Sequence, residues 1–151
     1  METFIKKLCS RYKVSEADVQ SLLDCMEEVH FKKRELIVRE GTKNSNLYFI
    51  RNGIWRAYYH KDGEETTIWF ASDGEAAFSV WGYVDNAYSL VNIQAMCDSV
   101  AYCISRAALN QLSPPFTYRR VNVRQPISIL LRHLSFLRFL YSSCLLCVSI
   151  S

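Results

Sequence analysis

The stretch Leu47-Tyr-Phe-Ile-Arg-Asn-Gly53-Ile-Trp-Arg-Ala-Tyr-Tyr-His60-Lys-Asp-Gly63 decides how this chain is read. Two runs rich in aromatic and aliphatic residues, Leu47–Arg51 and Ile54–His60, flank Asn52-Gly53. Asn-Gly between such runs signals a hairpin, because both central residues of a type I′ turn need φ > 0. Lys61-Asp62-Gly63 marks a second turn, and Thr66–Phe70 a further strand ahead of Ser72-Asp73-Gly74. Upstream, Glu35–Arg39 reads as a short strand ended by Glu40-Gly41. Downstream, strands at about 90–96 and 99–104 flank Cys97-Asp98. Short strands separated by frequent turns predict a mainly β domain over roughly 31–104, an antiparallel sandwich or jelly roll.

Helices flank this region. Ser15 stands three residues before Asp18, a loose capping box, ahead of an apolar stripe at Val19, Leu22, Leu23, Met26 and Val29. That spacing predicts an amphipathic helix from about 15 to 29, with a shorter one near Phe4–Leu8. Ser105–Leu112 reads as a short capped helix after the last strand. The expected organisation is thus a helical segment (1–30), a roll (31–112) and an atypical tail (113–151).

The whole chain has 151 residues, 22% of them charged and 13% aromatic, which argues against intrinsic disorder. Eighteen basic against fifteen acidic residues leave +3, too little to imply nucleic acid. The balance is uneven. Residues 1–112 carry a net −2, whereas 113–151 carry five Arg, no acid, and no Gly, Ala or Lys. The break falls at Ser113-Pro114-Pro115, where two prolines end any helix. Six scattered cysteines without a signal peptide read as reduced thiols in a cytoplasmic protein.

The segments Phe31–Gly41, Leu47–Gly53 and Tyr58-Tyr-His-Lys-Asp-Gly63-Glu resemble the sensor domain of Crp/Fnr-type transcription regulators. Ile93-Gln-Ala95 and Val100–Ile104 fall in the same order, and Thr66–Phe70 is most similar to the Bacteroidetes-like branch. The resemblance covers about residues 15–112. It implies a cyclic-nucleotide-binding-like double-stranded β-helix of eight strands with N-terminal helices and a C-terminal dimerisation helix. A DNA-reading helix-turn-helix would follow.

Nucleotide-binding members supply a Glu for the ribose and an Arg for the cyclic phosphate from a cassette after the sixth strand. Here those positions fall on Ser79 and Ser89. Charge-assisted hydrogen bonds contribute about 1.5–3 kcal/mol each, so their joint loss weakens cyclic nucleotide binding by roughly 10²–10⁴-fold. The expectation is a sensor that does not bind cyclic AMP. Phe78, Ser79, Val80, Trp81, Ser89, Leu90 and Asn92 are expected to line its pocket, suited to an unidentified small-molecule effector.

In the tail, Ile127, Leu130, Leu134, Leu137, Tyr141, Cys144 and Val148 alternate by three and four, an a/d seam expected to form a homodimer. No helix-turn-helix is legible after Leu112, so DNA is expected to be reached only through a domain absent from this chain. A frame shift near codon 112 gives an alternative origin for the tail. A membrane span is not expected, since Phe139–Ile150 is only twelve residues long where about 20 are needed.

No enzyme is expected. The three His (His30, His60, His133) include no His-X-His pair of the kind a metal-binding roll needs. Cys144-Leu-Leu-Cys147 is a lone C-X-X-C, read as packing. No phosphate loop or nucleophile elbow occurs. No metal and no cofactor are therefore assigned. The alternative function is a β-roll that binds no small molecule and serves as an interaction module.

Overall fold

The computed structural model describes residues 1–112. The expected dimer seam (Ile127, Leu130, Leu134, Leu137, Tyr141) lies outside the described residues. The described residues fall into two compact units: Met1–Asp24 with residues 107–112, and Cys25–Arg106.

In the first unit, α1 (Glu2–Tyr12) and α2 (Glu16–Leu23) pack on each other. Phe4, Leu8 and Tyr12, four residues apart, are buried, as are Val19, Leu22 and Leu23. Ser15 caps α2 by accepting a 3.2 Å hydrogen bond from Asp18 N–H. This helix is shorter than the apolar stripe predicts. It ends at Leu23, and Val29 belongs instead to β1 (Glu27–Phe31). The ladder from Glu27↔Cys103 to Phe31↔Ser99 draws these residues into a sheet, overriding a helical period. α1, by contrast, is longer than expected. The last described element, α4, spans Arg106–Leu112.

The second unit adds β2 (Leu36–Val38), β3 (Asn46–Asn52), β4 (Ile54–Lys61), β5 (Glu64–Ser72), β6 (Ala76–Phe78), α3 (Val80–Asp85), β7 (Asn92–Ala95) and β8 (Ser99–Ser105). Two four-stranded antiparallel sheets result, in the orders β1-β8-β3-β6 and β2-β7-β4-β5. This is the expected mainly β jelly roll. It is not a closed barrel.

Asn52-Gly53 is not a hairpin turn. β3 and β4 belong to different sheets, and Asn52 keeps a negative φ, which excludes type I′ geometry. The chain changes sheet at this corner. Gly53 has φ +127, its N–H donates to Asp73 Oδ1 at 2.9 Å, and a Cβ there would lie 2.6 Å from Ser99 Cβ. The two-residue hairpin is the next one. Asp62 (φ 52) and Gly63 (φ 84) join the paired Lys61 and Glu64.

Strand alternation sets two faces on each sheet. Tyr48, Ile50 and Ala101 from one sheet, and Trp55, Ala57, Ile93 and Ala95 from the other, form one buried interior cluster. Phe31, Tyr48 and Trp55 meet edge-on within it, with ring centroids 5.4–6.2 Å apart. Leu47, Phe49, Phe78 and Ile104 lie on the opposite face of their sheet and are also buried.

Candidate functional site: the β6–α3–β7 cassette

The connection from β6 to β7 is built from local hydrogen bonds. Ser79 leaves β6 in an extended conformation, and its Oγ accepts from Gly82 N–H at 3.3 Å, capping α3. Asn86 ends the helix at φ 52, a left-handed conformation that Asn tolerates. Gly82 lies flush on the β2–β3 loop, where a Cβ would come within 2.7 and 2.8 Å of Asn44 C and N. Asn44 is itself pinned. Its Nδ2 donates to Ile37 O and Tyr48 Oη, and its Oδ1 accepts from Asn46 N–H.

The return limb is tied to the same loop. Gly41 N–H donates to Ser89 O at 2.8 Å, and Ser89 N–H to Thr42 O at 2.9 Å. Ser89 Oγ donates to Val91 O at 2.7 Å and accepts from Val91 N–H at 3.3 Å. Both serines that stand where the resemblance places charged ligand contacts are 1% exposed and bonded to their own backbone.

The other expected pocket residues share a chain segment but not a surface. Phe78 is paired with Leu47 and packs on the Tyr83 ring at 5.2 Å, on the face away from the interior cluster. Val80 opens α3. Trp81 is partly buried and packs on the interior cluster. Leu90 is half exposed. Asn92 is paired with Tyr58 on the outer face of its sheet, and its Oδ1 accepts from Glu40 N–H at 2.9 Å. Ile68 and Trp69 of β5 pack on the interior, and β4 contributes residues that the sequence reading did not single out: Trp55, Ala57 and Tyr59. Their period-two alternation along β4 was the signal that could have found them.

Charge is sparse around the cassette. From Ser79 to Val91 its one formal charge is Asp85. Lys43 lies 5.2 Å over the Tyr88 ring, and the Arg106 guanidinium lies 6.0 Å from the Tyr83 ring centroid and donates to Tyr83 O. Burial pushes the Tyr83 phenol up, against the pull of Arg106. Burial likewise raises Tyr48, opposed by the amides of Asn44 and Asn46, and raises the Cys103 thiol. Arg56 is engaged on the outer face of the β4 sheet. It donates to Gln94 Oε1 and Glu65 and stacks 4.2 Å over Tyr58. Trp55 Nε1 is buried without a hydrogen-bond partner among the described residues. An unmatched buried donor costs about 1–3 kcal/mol.

Among the described residues, no three His, Cys, Asp or Glu gather as metal ligands, and Cys9, Cys25, Cys97 and Cys103 are free thiols. No described helix is long and apolar enough to cross a membrane.

The second unit is a two-sheet jelly roll whose sixth and seventh strands are joined through one short helix. Residues 28–113 match the model of the cyclic nucleotide-binding domain, and the chain belongs to that family. Solved structures agree on the fold. The sensor domain of the transcriptional regulator DNR from Pseudomonas aeruginosa is similar at TM-score 0.66 and 19% identity, over 96% of this chain and 95% of that one. The Thermus thermophilus catabolite activator protein is similar at TM-score 0.66 and 18% identity, over 89% and 59%. The regulatory domain of Toxoplasma gondii PKA with cAMP is similar at TM-score 0.61 and 20% identity, over 73% and 43%. The chain thus spans about half the length of the last two. No curated protein sequence matches.

Proposed function

We propose that this chain is the sensor portion of a Crp/Fnr-like transcription regulator whose roll does not respond to cyclic AMP. The observation that carries this reading is the state of Ser79 and Ser89. Each is buried, and each hydroxyl is spent on the cassette's own backbone. A cyclic phosphate needs a cation or several free N–H groups to offset its lost hydration. The cassette supplies neither an Arg nor a Lys, and Asp85 has the wrong sign. The roll acts by binding rather than catalysis, in a cytoplasmic homodimer. DNA contact falls to a helix-turn-helix outside residues 1–112.

Calorimetric titration of the full chain with cyclic AMP and cyclic GMP tests the reading. The expected result is no saturable heat at micromolar ligand, and a micromolar dissociation constant for either nucleotide overturns it.

A second reading, a ligand-free interaction module, is favoured by Ile54, Phe70 and Met96. They are 48%, 63% and 39% exposed at one end of the outer face of the β4 sheet. Phe70→Glu abolishing self-association in sedimentation would support it.

A further inference from the structure

Asn52-Gly53, which the fold uses as a sheet corner rather than as a hairpin turn, also carries a reaction of its own. An Asn followed by Gly is open to attack from its own backbone, since glycine sets no side chain beside the nitrogen. That nitrogen gives its proton to solvent base and attacks Asn52 Cγ. The N–Cγ bond forms, the Cγ–Nδ2 bond breaks and ammonia leaves, closing a succinimide. Water then opens the ring at either carbonyl, giving aspartate or isoaspartate. One water enters and one ammonia departs, and nothing is oxidised or reduced.

Both reacting groups are fixed at this corner. Position 53 admits only glycine, because a Cβ there would lie 2.6 Å from Ser99 Cβ. Asn52 is exposed at the end of β3, so water reaches its amide. Two features of the folded roll oppose the reaction. Ring closure needs Asn52 Cβ to eclipse the Gly53 nitrogen, which strand backbone with ψ of about +135° does not allow. Pairing with Val100 keeps Asn52 in the ladder. The second feature concerns the proton. Gly53 N–H donates to Asp73 Oδ1 at 2.9 Å, from the turn between β5 and β6. A carboxylate so close disfavours the amide anion that must form, as like charges do.

We propose that Asn52-Gly53 is a conformation-gated deamidation site, kept inert by the Asp73 carboxylate and open to reaction only when the β3–β4 corner opens. The product records that opening irreversibly. Isoaspartate adds a backbone carbon between the residue paired with Val100 and the glycine packed on Ser99, so the corner does not reclose in register. The site is independent of the ligand reading.

Trypsin, cutting after Arg51 and Arg56, isolates the site in the peptide Asn52–Arg56. Mass spectrometry then reads the loss of the amide, and chromatography separates the two acids. The full chain, its Asp73→Ala variant and a synthetic peptide of residues 48–57 are incubated side by side at neutral pH. The folded parent should deamidate at least about tenfold more slowly than the peptide. Asp73→Ala, checked as folded by circular dichroism, should react about ten- to a hundredfold faster than the parent, the worth of one hydrogen bond to a charged group.

The proposal is overturned if the folded parent deamidates as fast as the peptide, or if folded Asp73→Ala keeps the parent's rate. Should the variant not fold, hydrogen exchange at the Gly53 amide of the parent decides. Protection by at least the factor that slows deamidation supports the gate, and exchange at the peptide's rate overturns it.

Discussion

Gly82→Ala puts two known effects in opposition at one atom. Alanine in place of glycine inside a helix ordinarily stabilises by about 1 kcal/mol. At this position the added Cβ would sit 2.7 Å from Asn44 C and 2.8 Å from Asn44 N, against the 3.4 Å of ordinary contact. The two segments must therefore part by 0.7 Å or more, and the obstacle is backbone that cannot rotate aside. Asn44 cannot yield cheaply, because Ile37 O, Tyr48 Oη and Asn46 N–H all hold its side chain. Overpacking of this kind costs about 1–3 kcal/mol, and the upper part of that range applies where backbone meets backbone. The net expectation is a loss of about 1–2 kcal/mol, or about 4–16 °C in Tm for a unit of this size. Thermal unfolding followed by circular dichroism measures it, with Gly63→Ala as a control. Gly63 has nothing within 4 Å of its Cβ position, so its cost is confined to a residue at φ +84. A Gly82→Ala protein as stable as the parent would refute the close packing of α3 on the β2–β3 loop.

Three further outcomes follow from the same contacts. Ser79→Ala should lower stability by about 1 kcal/mol through loss of the α3 cap, read as a shift in urea midpoint at constant slope. Restoring the family's charged pair, Ser79→Glu with Ser89→Arg, should destabilise the roll without creating micromolar cyclic AMP affinity. Both positions are 1% exposed, and both replacements break a cassette hydrogen bond. Asp98 accepts from Lys33 N–H and from the Lys32 ammonium, which hold its carboxyl below the usual carboxylate range. A folded pKa below the unfolded one stabilises above the ordinary value of about 3.9, and the gain is lost as pH falls through the folded one. The parent should therefore exceed Asp98→Asn in urea midpoint at neutral pH, with the gap closing only below about pH 4.

The parts of the fold that the sequence announced are those with local signals. β4 and β5 were legible through their alternation and the Asp62-Gly63 turn. β8 and α4 were legible through a strand followed by a capped turn of helix. β1 was not, because Val29 happens to continue the stripe of α2, and only its pairing with β8 reveals it as strand. β6 is three residues long and contains two alanines, too little for any period to show.

Asn52-Gly53 carried a genuine turn chemistry that tertiary structure used differently. The glycine is required by Ser99 packed against it, not by a hairpin. In the cassette, counting along the chain identified the two serines. It could not decide which side chains share a surface. Face depends on register, and a shift of one residue reverses it. Phe78 opposite Leu47 and Asn92 opposite Tyr58 turn away from the interior, and only the ladders say so.

The central proposal is that the β6–α3–β7 cassette, with both serine hydroxyls tied to its own backbone and no Arg or Lys from Ser79 to Val91, does not bind a cyclic phosphate. It is tested most directly by titrating the full ¹⁵N-labelled chain with cyclic AMP while following the backbone amides of residues 79–91. The account predicts resonances that stay in place at micromolar nucleotide. Saturable shifts at Ser79, Gly82 and Ser89 with a micromolar dissociation constant would contradict it.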